Sequence, residues 1–243
     1  MFFFYHESYE VEAMKLIFIG LLFGYLAFAV DNASPKNLTL KRNQTKKNGG
    51  SDSVLLSKIV GTAADQVVTS REVQIVNFLE RGILTDKNLN LIQPEENRFN
   101  VEVAQVLLEI VVQTESSVFE FNQMGDDEFK ETLAKVQKNL TNSKDWKSLQ
   151  TSPAELEKFL KRKLISKKFI KVKSDSMKGF ITDAEAKDYF DKNRLKFGQV
   201  PFVEFKENIK SFLSQQQLEE RLKAWFEIIK KKYKVKNYSN ESN

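Results

Sequence analysis

The sequence predicts a mainly α-helical domain with a small β-hairpin near its start and one long helix at its C-terminal end. Three observations lead there. Thr69–Glu72, Ser152–Glu155 and Thr182–Glu185 each read as a helix-initiating capping box ahead of apolar residues at helical spacing. Residues 101–112 are apolar nearly all round, the mark of a helix at the centre of a core. Residues 58–63 and 66–68 are short extended pieces either side of a polar turn.

Taken in order, the first helix starts at Thr69, whose hydroxyl can accept from the Glu72 amide while Glu72 reaches back. Val73, Val76, Phe78 and Leu79 supply its apolar side, and Gly82 is the expected stop. Asn100 is the expected cap of the second helix, through Phe119; β-branched residues leave a buried strand over 106–112 as the alternative. Gly125 opens a third helix, where Asp126, Asp127 and Glu128 suit the positive end of the helix dipole. Their spacing does not fit a calcium loop.

Ser152, Pro153 and Glu155 make the clearest helix start in the chain. Leu156, Phe159, Leu160, Lys163, Leu164 and Phe169 line one side of that helix, and the basic run 161–173 reads as a solvated back. The alternative for that run is contact with phosphate. Thr182 caps a helix carrying Ala186, Tyr189 and Phe190 and ending near Phe197 and Gly198. Past Pro201 a long helix runs to about Tyr233. On it Phe205, Ile209, Phe212 and Leu213 fall on one side and Leu218, Leu222, Trp225 and Ile229 on nearly the opposite one, separated by Ser214–Gln217. Both halves are expected to be buried, against different neighbours. Residues 234–238 can add a strand beside the hairpin.

Composition narrows the chemistry. The chain has 243 residues, 41% hydrophobic and 29% charged, with 20 Phe and no Cys. Its single histidine is His6, so thiolate chemistry is excluded and imidazole chemistry nearly so. No glycine-rich phosphate loop occurs, and no cofactor, metal site or catalytic residue is expected. Adjacent acids such as Glu95-Glu96 and Asp126-Asp127 read as solvated. The N-x-[ST] matches at Asn37, Asn43 and Asn139 carry no weight.

Residues 14–29 have the layout of a secretory signal: Lys15, an apolar run, then Ala27-Phe28-Ala29 as the cleavage pattern. The apolar run is shorter than the roughly 20 residues needed to span a bilayer. Glu7, Glu10 and Glu12 are wrong for the positive end of a signal, so the expected start is Met14, with 1–13 an upstream extension. Residues 1–29 hold three acids and one base; their removal moves the formal charge from +5 to +7. The expected organisation is then a flexible leader over 30–54, one domain over 55–236 and a disordered tail over 237–243.

The order of motifs resembles the periplasmic chaperone family of SurA and its foldase relatives PpiD and PrsA. Residues 59–73, IVGTAADQVVTSREV, stand where that family has its opening strand-turn-cap. Residues 157–170, EKFLKRKLISKKFI, match its basic helix. Ile181-Thr182-Asp183-Ala184-Glu185, Tyr189-Phe190-Asp191-Lys192-Asn193 and Phe197 match its "ItdeEixxYYxxnxxxF". Pro201-Phe202, Ile209, Leu213 and Trp225 match its terminal helix. The similarity covers about 55–236. In that family a parvulin prolyl isomerase domain usually sits between the last two motifs; here KFGQVPF, 196–202, joins them directly.

The resemblance implies a SurA N-terminal-like chaperone domain without the isomerase. It would bind unfolded outer-membrane or secreted proteins in the periplasm, without ATP and without being an enzyme. Tyr189, Phe190, Phe197, Phe202 and Phe205 around the join are the candidate client-binding residues. The alternative is an envelope scaffold dedicated to one partner. Nucleic acid is not expected as a partner, and weak contact with anionic membrane is a secondary expectation from the basic runs. N-terminal sequencing of the processed protein should begin at Val30; a peptide containing His6 in that form would refute the assignment.

Overall fold

The computed structural model describes residues 57–86, 89–121 and 125–239. The signal segment with Ala27 and Ala29, the Met14 start, the leader and residues 240–243 lie outside the described residues. The described chain is mainly helical: β1 (Ile59–Ala63), β2 (Gln66–Thr69), α1 (Ser70–Leu84), α2 (Asn97–Val118), α3 (Asp126–Leu140), α4 (Lys144–Ser148), α5 (Pro153–Met177), α6 (Asp183–Lys192), α7 (Arg194–Phe197), α8 (Phe202–Lys232) and β3 (Lys236–Asn237). The strands form one antiparallel sheet in the order β2-β1-β3.

The hairpin closes through two residues, Ala64 and Asp65, both at positive φ, the backbone a two-residue turn between twisted strands requires. Ala64 is an unfavourable residue there, and its amide is held by the Tyr233 carbonyl at 2.9 Å. Gly61 answers a closer constraint. A Cβ at that position would stand 2.8 Å from the Lys236 carbonyl oxygen and 3.0 Å from Leu107. Only glycine lets β3 and α2 approach β1 together. β3 lies beside the hairpin as expected, and the Tyr238 amide donates to the Val60 carbonyl, so pairing runs on beyond the expected boundary at 236.

α2 crosses the centre of the main core. Phe99, Val103, Val106, Leu107, Ile110, Val111 and Val112 are all buried, so 106–112 is helical rather than a strand. It begins four residues earlier than an Asn100 cap would give. Glu96 is the N-cap, and the first turn is drawn in because Phe99 is buried in the core. Gly82 is likewise not a terminator. α1 continues to Leu84 and ends on Thr85 in the left-handed region. Gly82 instead lets α3 come close: a Cβ there would meet Val136 and Leu140 at 3.2 and 3.3 Å, and Asn139 donates to the Gly82 carbonyl at 2.8 Å. α4 was not foreseen; Ser143 caps it, and Asp145 accepts from the Leu91 amide at 2.8 Å.

The three N-terminal boxes differ in one respect. Ser152 and Thr182 cap reciprocally with Glu155 and Glu185. Thr69 accepts from the Glu72 amide, but the Glu72 carboxylate takes Arg162 at 2.6 Å. Arg162 belongs to the run expected to be solvated and is buried, and Lys163 is buried on the apolar side of the helix where its spacing placed it. Lys163 has no exposure at all; its ammonium lies 2.5 Å from Glu109 and 2.9 Å from Glu80. Lys167 also pairs with Glu80, and the Ser166 hydroxyl donates to the Glu109 carbonyl. α5 is thereby joined to α1 through Glu72 and Glu80 and to α2 through Glu109. Burial by itself would favour the neutral amine of Lys163, but Glu109 and Glu80 outweigh it and hold the ammonium charged. Burial would likewise raise Glu80, yet Lys163 and Lys167 hold it at about 2.

The two opposed stripes of the long helix meet different neighbours, but only the second is buried throughout: in the first, Ile209 is buried, Phe205 and Leu213 are half-buried and Phe212 is exposed, because the arm's cluster is small. Leu218, Leu222, Trp225 and Ile229 are buried in the main core. Ile209 is buried in a second, smaller cluster with Ala186 and Phe190 of α6.

Lys163→Met should destabilise the domain by about 3–5 kcal/mol near neutral pH, because the buried Glu109 loses its ammonium partner and the half-buried Glu80 keeps only Lys167. The folded pKa of Glu80 is depressed from 4.5 to about 2, so its contribution is complete above pH 4.5 and is lost as pH falls towards 2. Urea midpoints measured down that range should therefore fall for the wild type and converge on those of the variant. A gap that stays constant to pH 2 would contradict the assignment.

Candidate functional site

The sequence-predicted residues gather at one place. α6, α7 and the first half of α8 form an arm with its own cluster, in which Ala186, Phe190 and Ile209 are buried and Tyr189, Phe197, Phe202, Phe205 and Leu213 are half-buried. All five candidate aromatics are in it. The helices set this up. The Thr182 capping box starts α6, so that Ala186, Tyr189 and Phe190 recur at helical spacing towards α8. α6 does not continue to Phe197. Asn193 leaves helical geometry at φ −113° and ψ 24°, its side chain donates to the Tyr189 carbonyl at 2.9 Å, and α7 starts afresh.

That break folds Phe197 back onto the cluster. Its ring stacks on Phe190 with centroids 4.8 Å apart and meets Phe205 at 5.1 Å and Tyr189 at 6.4 Å. Phe202 meets Phe190 edge-on at 5.5 Å. The join itself is a tight reversal. Gly198 has φ +58° and ψ −134°, a conformation that excludes a side chain, and Arg194 donates to the Val200 carbonyl at 2.8 Å. The Arg194 guanidinium also covers the Phe190 ring at 4.8 Å.

Charge closes the other end of the arm. Asp183, at the start of α6, pairs with Lys206 and with Lys210 of α8, and these two lysines hold its carboxyl below the usual range. The end of α5 and the 178–181 linker are held on α8 by Arg221, which donates to the Met177 carbonyl at 2.7 Å, and by Ser214, which donates to the Gly179 carbonyl at 3.3 Å.

The structure divides the predicted residues into two kinds. Phe190, only 4% exposed, is core of the arm. Tyr189, Phe197, Phe202 and Phe205 keep part of their surface in solvent. Sequence reasoning missed the most exposed apolar residues of this region, Leu195 at 100%, Phe180 at 83% and Val203 at 80%, and Phe212, expected to be buried with its stripe, is about half exposed against Tyr189 at 5.5 Å. A weak signal was present, since Leu195 and Val203 each flank the join without a place in either helical stripe. The arm offers apolar contact among paired charges. Among the described residues no three or more His, Asp or Glu side chains converge as a metal site, and no helix is long and apolar enough to cross a membrane. Compared with known protein families, curated proteins and solved structures, the chain has no match.

Phe190→Ala should empty the centre of the arm, a change that costs about 3–5 kcal/mol locally. Amide exchange in α6 should accelerate strongly while α2, in the other cluster, keeps its protection. Equal acceleration in both would mean that the two clusters are one cooperative unit.

Proposed function

We propose that the protein is a chaperone of the cell envelope that holds unfolded outer-membrane or secreted polypeptides, needing no nucleotide and having no isomerase activity. The observation that carries this reading is the arm: large apolar side chains stand in solvent around a half-buried aromatic cluster, among charges that keep the surface soluble. A surface of this kind meets apolar side chains of many sequences, because aromatic and aliphatic contacts are not directional.

The sequence supports the same reading. The motifs at 181–197 and 201–225 resemble those of the SurA-like chaperones, and both run through the arm. The direct join at KFGQVPF, now a glycine reversal of a few residues, leaves no room for an isomerase domain between α7 and α8. The signal-like segment supports the periplasm as its place of work. A scaffold dedicated to one partner would use the same surface with a narrower range of sequences.

A urea-unfolded outer-membrane barrel protein, diluted with the purified protein, should scatter less light than alone, at near-stoichiometric amounts and without nucleotide. The triple variant Leu195→Ser, Val203→Ser, Phe212→Ser should lose most of that effect while staying folded, with at most a small drop in urea midpoint from the Phe212 contact with Tyr189. A well-folded wild type that leaves the scattering unchanged would sink the reading and favour the single-partner scaffold.

A further inference from the structure

A second aromatic group lies on the body. The C-terminal end of α2, the middle of α5 and the second half of α8 bring Phe119, Phe121, Phe169, Trp225 and Phe226 into one run. Phe169 meets Phe121 at 5.2 Å, Phe119 at 6.0 Å and Trp225 at 6.2 Å, and Trp225 meets Phe226 at 4.9 Å. Phe169 and Trp225 are buried, but Phe119 is 58% exposed, and its neighbour Val118 and the α5 residue Val172 are exposed too. The packing of the main core uses one side of this run and leaves the other in solvent.

A cation stands at its centre. The Lys173 ammonium lies 5.3 Å from the Phe119 centroid and 5.8 Å from that of Trp225. Several other lysines of α5 are committed to carboxylates: Lys163 to Glu109 and Glu80, Lys167 to Glu80, and Lys168 to Glu128. Lys232 takes Glu115 nearby. Among the described residues no carboxylate oxygen lies within ion-pair distance of Lys173; the buried Glu115 feels its charge but is engaged directly by Lys232 and the Tyr233 hydroxyl. The Lys173 charge is directed by two aromatic faces, and the contact with them is weak, about 0.5–1 kcal/mol at an exposed site. An incoming carboxylate would complete an ion pair partly screened from water by the rings, where it is stronger than on an open surface.

We propose that this surface docks a short polypeptide segment in which an aromatic or aliphatic side chain is flanked by Asp or Glu. The apolar side chain covers Phe119 and Val172, and the carboxylate meets Lys173. The net positive charge of the chain favours the approach of such a segment over a basic one. The selection is by charge sign, whereas Lys187, Lys192, Lys206 and Lys210 of the arm are paired with its own aspartates. This surface is separate from the arm and does not depend on the chaperone reading.

The test uses the purified protein and three labelled twelve-residue peptides with identical Phe and Leu positions, carrying Asp/Glu, Asn/Gln or Lys between them. Anisotropy should show the acidic peptide binding about tenfold more tightly than the lysine peptide, a difference of roughly 1.4 kcal/mol. The indole resonance of Trp225 should shift on binding. Lys173→Met, which breaks no ion pair, should remove the preference, and Lys173→Glu should reverse it. Phe119→Ser should weaken all three peptides. The arm triple variant should retain the acidic preference, which separates this surface from the proposed holdase site. Equal binding of acidic and lysine peptides would overturn the proposal. So would a preference that survives Lys173→Met, or phosphatidylglycerol vesicles that bind the protein and displace the peptide, which would make the surface a lipid contact.

Discussion

A lysine side chain with no solvent exposure is tolerated only where its charge is answered on the spot, and the main body of this protein is arranged around one. Lys163 reaches from α5 to Glu80 on α1 and Glu109 on α2, while Arg162 beside it takes Glu72. Apolar packing alone would let these three helices slide, because dispersion and the hydrophobic effect have little preference for register. The ion pairs do have one. A shift of α5 by a residue would strand a buried ammonium, a loss of several kcal/mol. The same geometry explains why the first capping box is incomplete. Glu72 serves the Arg162 guanidinium, and the Thr69 hydroxyl is left to cap α1 alone.

α8 is the second constraint. It is a single helix of 31 residues that belongs to two apolar clusters in succession. At and just past the change of stripe, Ser214, Gln217 and Arg221 face the end of α5 and the 178–181 linker and hydrogen-bond to that backbone or to one another. A polar stretch at that position keeps the linker's carbonyls satisfied where neither cluster could do so. It also makes α8 the rigid connection through which the arm is attached to the body.

That division bears on function. The body cluster includes more than two dozen buried side chains, whereas the arm has three buried residues surrounded by half-buried aromatics. A surface that gives up little of its own packing to receive an apolar partner is found where the core is thin. The body's exposed aromatics are different in kind. They frame an ammonium instead of lining a soft cluster, and so they select for charge as well as for apolar area.

Much of this was legible in the residues. The capping boxes at Ser152 and Thr182, the all-round apolar α2, the hairpin, the added strand and the two opposed stripes of α8 are all local patterns, set by neighbours within a turn or a strand pair. The join at KFGQVPF drew attention to the five aromatics that the arm does bring together. What failed to read locally was decided at a distance. Gly82 looked like a stop and is a close contact with α3; Asn100 looked like a cap and sits inside a helix whose first turn is drawn in by Phe99. Lys163 read as one of the residues on the apolar side of α5, but its partners could not be read, because its two carboxylates lie 83 and 54 positions away in the chain and only the packing of α1 and α2 delivers them; Arg162 looked like part of the solvated back and is buried against Glu72 for the same reason. By itself, then, the sequence determined which segments are helices and which side of each is apolar. Which charges are buried, which aromatics stay in solvent and which glycines carry contacts were settled by the tertiary structure, since burial and charge pairing depend on residues that the chain brings together only when it folds.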